Sequence, residues 1–135
     1  MVGTRFPLAS TAVGLVLLAH APTDVRDAVL AGPLERHTSH TVTDARRLRA
    51  ILAQIRRNQY AVSDRALQEN TVGVAAPIRS GPTGEVHAAL GIVVAGATAA
   101  AVRPLRPRVV AAARGITSAL GQRPGAADGR VTSAR

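Results

Sequence analysis

Residues 10–22 read Ser10-Thr11-Ala12-Val13-Gly14-Leu15-Val16-Leu17-Leu18-Ala19-His20-Ala21-Pro22, and the fold turns on whether this run is a cleaved leader or a buried helix. As a leader it has a positive charge at Arg5, an apolar centre and an Ala19-His20-Ala21 site of the small-residue kind. As structure, Ser10 or Thr11 caps a helix that Pro22 stops. The uninterrupted apolar stretch from Ala12 to Ala19 is far short of the ~20 residues that a bilayer span needs, so it is not a membrane span. Composition does not separate the other two readings.

Downstream, Thr23 is placed to cap a short helix whose apolar positions are Val25, Val29 and Leu30 and which Gly32-Pro33 ends. Thr43-Asp44 opens the clearest helix, in which Leu48, Ile51, Leu52 and Ile55 fall at the spacing of one buried face. Tyr60 to Ser63 reads as a short strand. Thr71 to Ile78 and Glu85 to Val94 read as a hairpin around Gly81-Pro82-Thr83-Gly84. After a soft stretch from Ala95 to Ala101, Pro104 and Pro107 start a last helix carrying Val109, Ala113, Ile116 and Leu120, with Gly121 as its C-cap. Residues 122–135 read as a disordered tail.

The hairpin has two unlike faces. Val72, Val74, Ala76 and Ile78 share one with Val86, Ala88, Leu90, Ile92 and Val94, whereas Gly73, Ala75, Ala89 and Gly91 lie on the other. A face of glycine and alanine cannot fill space itself. Either a helix packs very close to it or a cavity is left for a ligand.

The 135 residues suit one domain with an aliphatic core, since Phe6 and Tyr60 are the only aromatics. That argues against stacking on nucleic-acid bases. No cysteine is present, so disulfides, thiolate nucleophiles and sulfur-based zinc sites are excluded. All 17 basic residues are arginines and the net charge is +9, a balance that attracts phosphate or acidic surfaces. His37 and His40 with Asp44 offer a weak metal pattern. No nucleophile elbow, dinucleotide fingerprint or P-loop occurs, so no catalytic residue, metal or cofactor is expected and the chain reads as a non-enzyme.

The order of the pieces carries more than any one of them. Arg5-Phe6-Pro7-Leu8 precedes Thr11-Ala12-x-Gly14 and Leu17-Leu18-Ala19, and Thr41-x-Thr43-Asp44 follows with Leu48 and Ile55-Arg56. Then come Tyr60, Val74-Ala75-Ala76-Pro77-Ile78, Gly84-x-Val86-x-Ala88-Ala89-Leu90 and Ile116-x-x-x-Leu120-Gly121. This sequence resembles the C-terminal effector-binding domain of IclR-type bacterial transcription regulators from about Val2 to Gly121.

The resemblance implies an α+β, GAF-like fold over residues 1–121, an antiparallel sheet flanked by helices. It implies that residues 10–22 are a retained helix, and hence a cytoplasmic protein. It implies a small-molecule metabolite as effector, dimer or tetramer contacts, and control of transcription through a winged helix-turn-helix. That DNA-binding domain and the opening strands of the effector domain are expected to be missing from this chain, which should then show no specific DNA binding and no membrane association. The effector site implied comprises Ala12, Val13, Gly14, Ser63, Asp64, Gly73, Ala75, Gly91 and Val93. Polar positions of the family fall here on Gly73, Gly91 and Val93, so a ligand larger and more apolar than glyoxylate or pyruvate is expected. The family's lysine after the helix glycine is Leu15, and its glycine before Tyr60 is Gln59. Two rival readings are a basic interaction module, if Arg46, Arg47, Arg49, Arg56 and Arg57 cluster with Arg103, Arg106 and Arg108, and a truncated reading frame.

Overall fold

The computed structural model describes residues 8–122; Arg5, Phe6 and Pro7 and all of the expected tail except Gln122, which is helical, lie outside them. Thr11 caps α1 (Ala12–Ala19): the amide of Gly14 donates to the Thr11 hydroxyl at 3.0 Å. The helix is apolar on every side, and Val16, Leu18 and Ala19 are at most 2% exposed. Such a helix has to be covered all round. Ala12–Ala19 therefore form a core element.

Pro22 precedes α2 (Thr23–Ala31), so Thr23 is its first residue and not the cap. Asp44 caps α3 (Ala45–Asn58), its carboxylate accepting from the amides of Arg46 at 2.9 Å and Arg47 at 3.5 Å. Leu48, Leu52 and Ile55 are buried, as their spacing requires. The first strand, β1 (Ala61–Asp64), begins one residue later than the sequence suggests. The hairpin of β2 (Thr71–Ser80) and β3 (Glu85–Ala95) completes a three-stranded antiparallel sheet in the order β1-β2-β3. The end of the stretch expected to be soft, Ala95 to Ala101, instead enters the short helix α4 (Ala99–Val102), because the Thr98 hydroxyl caps it, accepting from the amide of Ala101 at 3.2 Å. A 3-10 turn at Arg103–Leu105 leads into α5 (Arg106–Gln122), which runs through Gly121 without the left-handed turn of a C-cap.

Two cores lie on the two faces of the sheet. Val72, Val74 and Ala76 face Val102, Val109 and Ala113, which puts α5 against the bulky face of the hairpin. On the other face α1 packs against all three strands, with α3 against α1, and Leu18, Leu48 and Leu52 fill that side. Full burial of one such leucine contributes roughly 1.5–3 kcal/mol. The register pairs Val74 with Ile92 and Ala76 with Leu90, as alternation predicts, and shifts between Ile78 and Arg79. Pro77 lies past the last β1 pair, Ala61 with Ala75, so the proline sits where β2 has a neighbour on one side only.

Candidate functional site

The small-residue face forms two rows across the sheet: Ala61, Ala75 and Gly91 in one, Ser63, Gly73 and Val93 in the other. A Cβ at Gly73 would stand 3.3 Å from that of Ala12, and one at Gly91 would stand 2.6 Å from Val13 Cγ2. Of the two readings of this face, the structure has the helix packed close: α1 rests directly on the glycines. The space between Gly91 and the start of α1 is therefore filled by the helix itself, and room for a ligand has to be sought at the rim. Gly14 serves the same closeness, since a Cβ there would collide with the Leu8 backbone and the Thr11 hydroxyl.

That rim is built around Ser63. Its hydroxyl, buried with the rest of the residue, donates to the Ser10 carbonyl at 2.6 Å and so ties the start of α1 to β1. Beside it opens a cleft of about 260 Å³ between α1, α3 and β1. Ala9, Leu15, Val42, Leu48, Ile51 and Val62 give it apolar walls, and Ser63, Asp64, His40 and Arg47 supply polar groups. Ser63 and Asp64 are the two expected site residues that line it. Ala12, Val13, Gly14, Gly73, Ala75, Gly91 and Val93 do not.

The loop before α3 closes this cleft, held by two buried threonines. Thr38 Oγ1 donates to the Arg65 carbonyl and Thr41 Oγ1 to the Ala66 carbonyl, each at 2.6 Å. The Thr41 oxygen also accepts from the amides of His37 and Thr38, at 3.1 and 2.9 Å. This clamp explains the first threonine of Thr41-x-Thr43-Asp44; the second accepts from Arg36 at 3.1 Å, and Asp44 is spent capping α3 and not offered to a metal. Arg65 takes the left-handed conformation at φ 55° that the tight exit from β1 demands. Its guanidinium grips Asp64 through both oxygens, at 2.9 and 3.3 Å, so Asp64 adds little net negative charge to the cleft. His40, Val42, Arg47 and Ala66 join the site only through this long-range docking, which no local pattern announces.

Several arginines are already engaged within the chain. Arg26 and Arg56 both donate to the Ala19 carbonyl at the end of α1, at 3.4 and 3.3 Å, where a helix favours cations. Arg49 pairs with Asp27 at 3.0 Å, and Arg106 donates to the Tyr60 hydroxyl at 2.5 Å while lying 4.9 Å from its ring centre. The α3 arginines and those of α5 belong to helices packed on different sides of the sheet.

Residues 1–120 match the family model of the bacterial transcriptional regulator IclR C-terminal domain. The chain belongs to this family. Among its relatives, the IclR C-terminal domain described here is 42% identical over 100 residues to the HTH-type transcriptional regulator BhcR of Paracoccus denitrificans, covering 71% of this chain and 34% of that one. An IclR homolog from Microbacterium hydrocarbonoxydans, solved in complex with 4-hydroxybenzoate, superposes with a TM-score of 0.81 at 38% identity, over 91% of this chain and 50% of that one. The C-terminal domain of the Escherichia coli regulator KdgR does so with a TM-score of 0.75 at 30% identity, over 88% of this chain and 74% of that one. The chain thus spans about a third of the length of the curated relatives it matches, 31% and 34% for two of them. These relatives are transcriptional regulators. Among the described residues no helix is long and apolar enough to cross a membrane.

Proposed function

We propose that this IclR C-terminal domain is a cytoplasmic, non-enzymatic module that senses a small organic acid and transmits its presence through contacts between subunits. The observation that carries the reading is the cleft beside Ser63, apolar along its walls and polar at His40, Arg47, Ser63 and Asp64. A pocket of that kind holds an apolar body and orients one polar end. Arg47 and His40 favour a carboxylate there, because Asp64 is neutralised by Arg65. The complex of the Microbacterium homolog with 4-hydroxybenzoate supports an aromatic acid over a smaller keto acid. Ligand binding would shift a population of subunit arrangements and, in a regulator carrying a helix-turn-helix, the spacing of its DNA-binding domains.

Calorimetry with 4-hydroxybenzoate tests this. The wild-type chain should show a binding event at the Ser63 cleft that Ala66→Phe, which fills this cleft without touching the Ala66 carbonyl that Thr41 holds, lacks. Equal binding by Ala66→Phe with its circular dichroism unchanged would move the effector elsewhere.

A further inference from the structure

At the other end of β2 a second cleft, of about 380 Å³, opens between the hairpin and α5. Arg79, Arg114, Gln59 and Thr117 line it with Pro77 and Val110, and no acidic residue does. Among the described residues the ion pairs are Arg49 with Asp27, Arg65 with Asp64 and His87 with Glu85, so the half-buried Arg79 has no carboxylate partner. Its guanidinium is instead aimed by neutral acceptors, the Gln59 side-chain oxygen at 2.5 Å and the Gly84 carbonyl at 3.1 Å.

A strand irregularity and a helix end meet at this residue. The register shift between Ile78 and Arg79 re-directs the strand at that residue, and the Arg79 amide leaves the ladder to donate to Thr117 Oγ1 at 2.9 Å. Gln59 closes α3 in the left-handed conformation usual at a helix C-terminus, φ 63°, its backbone N–H donating to the Ile55 carbonyl at 2.7 Å. Its side-chain nitrogen donates to the Arg56 carbonyl at 2.6 Å and its side-chain oxygen takes Arg79. A guanidinium oriented only by neutral acceptors keeps its charge available to an anion. The cation is fixed and incompletely neutralised, and the neighbouring surface is apolar.

We propose that this cleft binds a small organic carboxylate, its charged end facing Arg79 and Arg114 and its apolar body against Pro77 and Val110. The site lies on the α5 side of the sheet, away from Ser63, and does not depend on the effector reading above.

The test is an amide-resolved NMR titration of the isotope-labelled 135-residue chain with sodium benzoate, in the Ala66→Phe background so that the first cleft is closed. Sodium phosphate and benzyl alcohol at matched ionic strength are the comparison arms. Saturable shifts at Arg79, Thr117 and the Gln59 side chain with benzoate alone support the proposal. Replacing the exposed Arg114 with glutamine should weaken them about tenfold, the worth of one charge-assisted contact. Gln59→Gly, which suits the backbone at that position, should keep the fold and also weaken binding. Equal shifts with phosphate would assign the site to inorganic oxyanions, and equal shifts with benzyl alcohol to apolar contact; either overturns the proposal. So does an Arg114→Gln chain that binds benzoate as tightly as its parent.

Discussion

Gly91 shows how much of this fold rests on missing atoms. Any side chain there meets Val13 on α1 and Ala75 on β2, so Gly91→Leu should push α1 off the sheet and lower stability by roughly 1–3 kcal/mol in urea unfolding. An unchanged midpoint would mean that α1 is held less tightly than the contacts indicate. His20 offers a second residue-scale test. Its Nδ1–H donates to the Val16 carbonyl at 2.9 Å, leaving Nε2 to accept from the Gln59 amide at 3.3 Å. Burial first, and then the charges of Arg79 and Arg56, push its pKa below the ordinary 6.5 despite the opposing bond to Val16. The native ring thus resists a proton that the unfolded chain accepts, so its contribution is full above pH 6.5 and is lost as pH falls from there toward the lower native value. Melting temperatures of wild type and His20→Gln, compared across that range, should converge as the solution is acidified. The small-residue stripe itself was visible in the sequence. Which of its two meanings held was not, because the answer depends on how closely a helix from a distant part of the chain approaches, and local pattern does not encode that distance.

Among the elements, the amphipathic α3 and the alternating hairpin followed directly from their apolar periods, since each buries one face and exposes the other. The loop from His37 to Thr43 did not. Its order comes from threonine hydroxyls reaching the Arg65 and Ala66 carbonyls, and hydroxyls carry no periodic signal. The same reason hid the part of the candidate cleft contributed by that loop, whereas Ser63 and Asp64 were proposed as site residues from the family resemblance. β3 presents the element-scale liability. Among the described residues it is an edge strand of 11 residues, with Val93 74% exposed, and no charged side chain interrupts it between His87 and Ala95. Long flat edges of this kind recruit further strands. Light scattering of the isolated chain should therefore report dimers or larger species, and Val93→Lys should shift the distribution toward monomer. A wild-type chain that stays monomeric at high concentration would rule out association through this edge.

At the scale of the molecule, α3 and α5 belong to cores on opposite faces of one sheet. The two apolar clusters have one strand in common. Ala75 belongs to the core under α1, and Val72, Val74 and Ala76 to the core under α5, so successive side chains of β2 are each locked from a different side. Detaching either helix alone leaves the strand anchored by the other. The amides from Val72 to Ala76 should accordingly be the last to trade their protons for deuterium, at a rate set by global unfolding, while those of α2 and β3 exchange through smaller openings. A strand clamped in this way also gives the two faces a shared mechanical element: α1 and α5 lie on opposite sides of it, one residue's pleat apart.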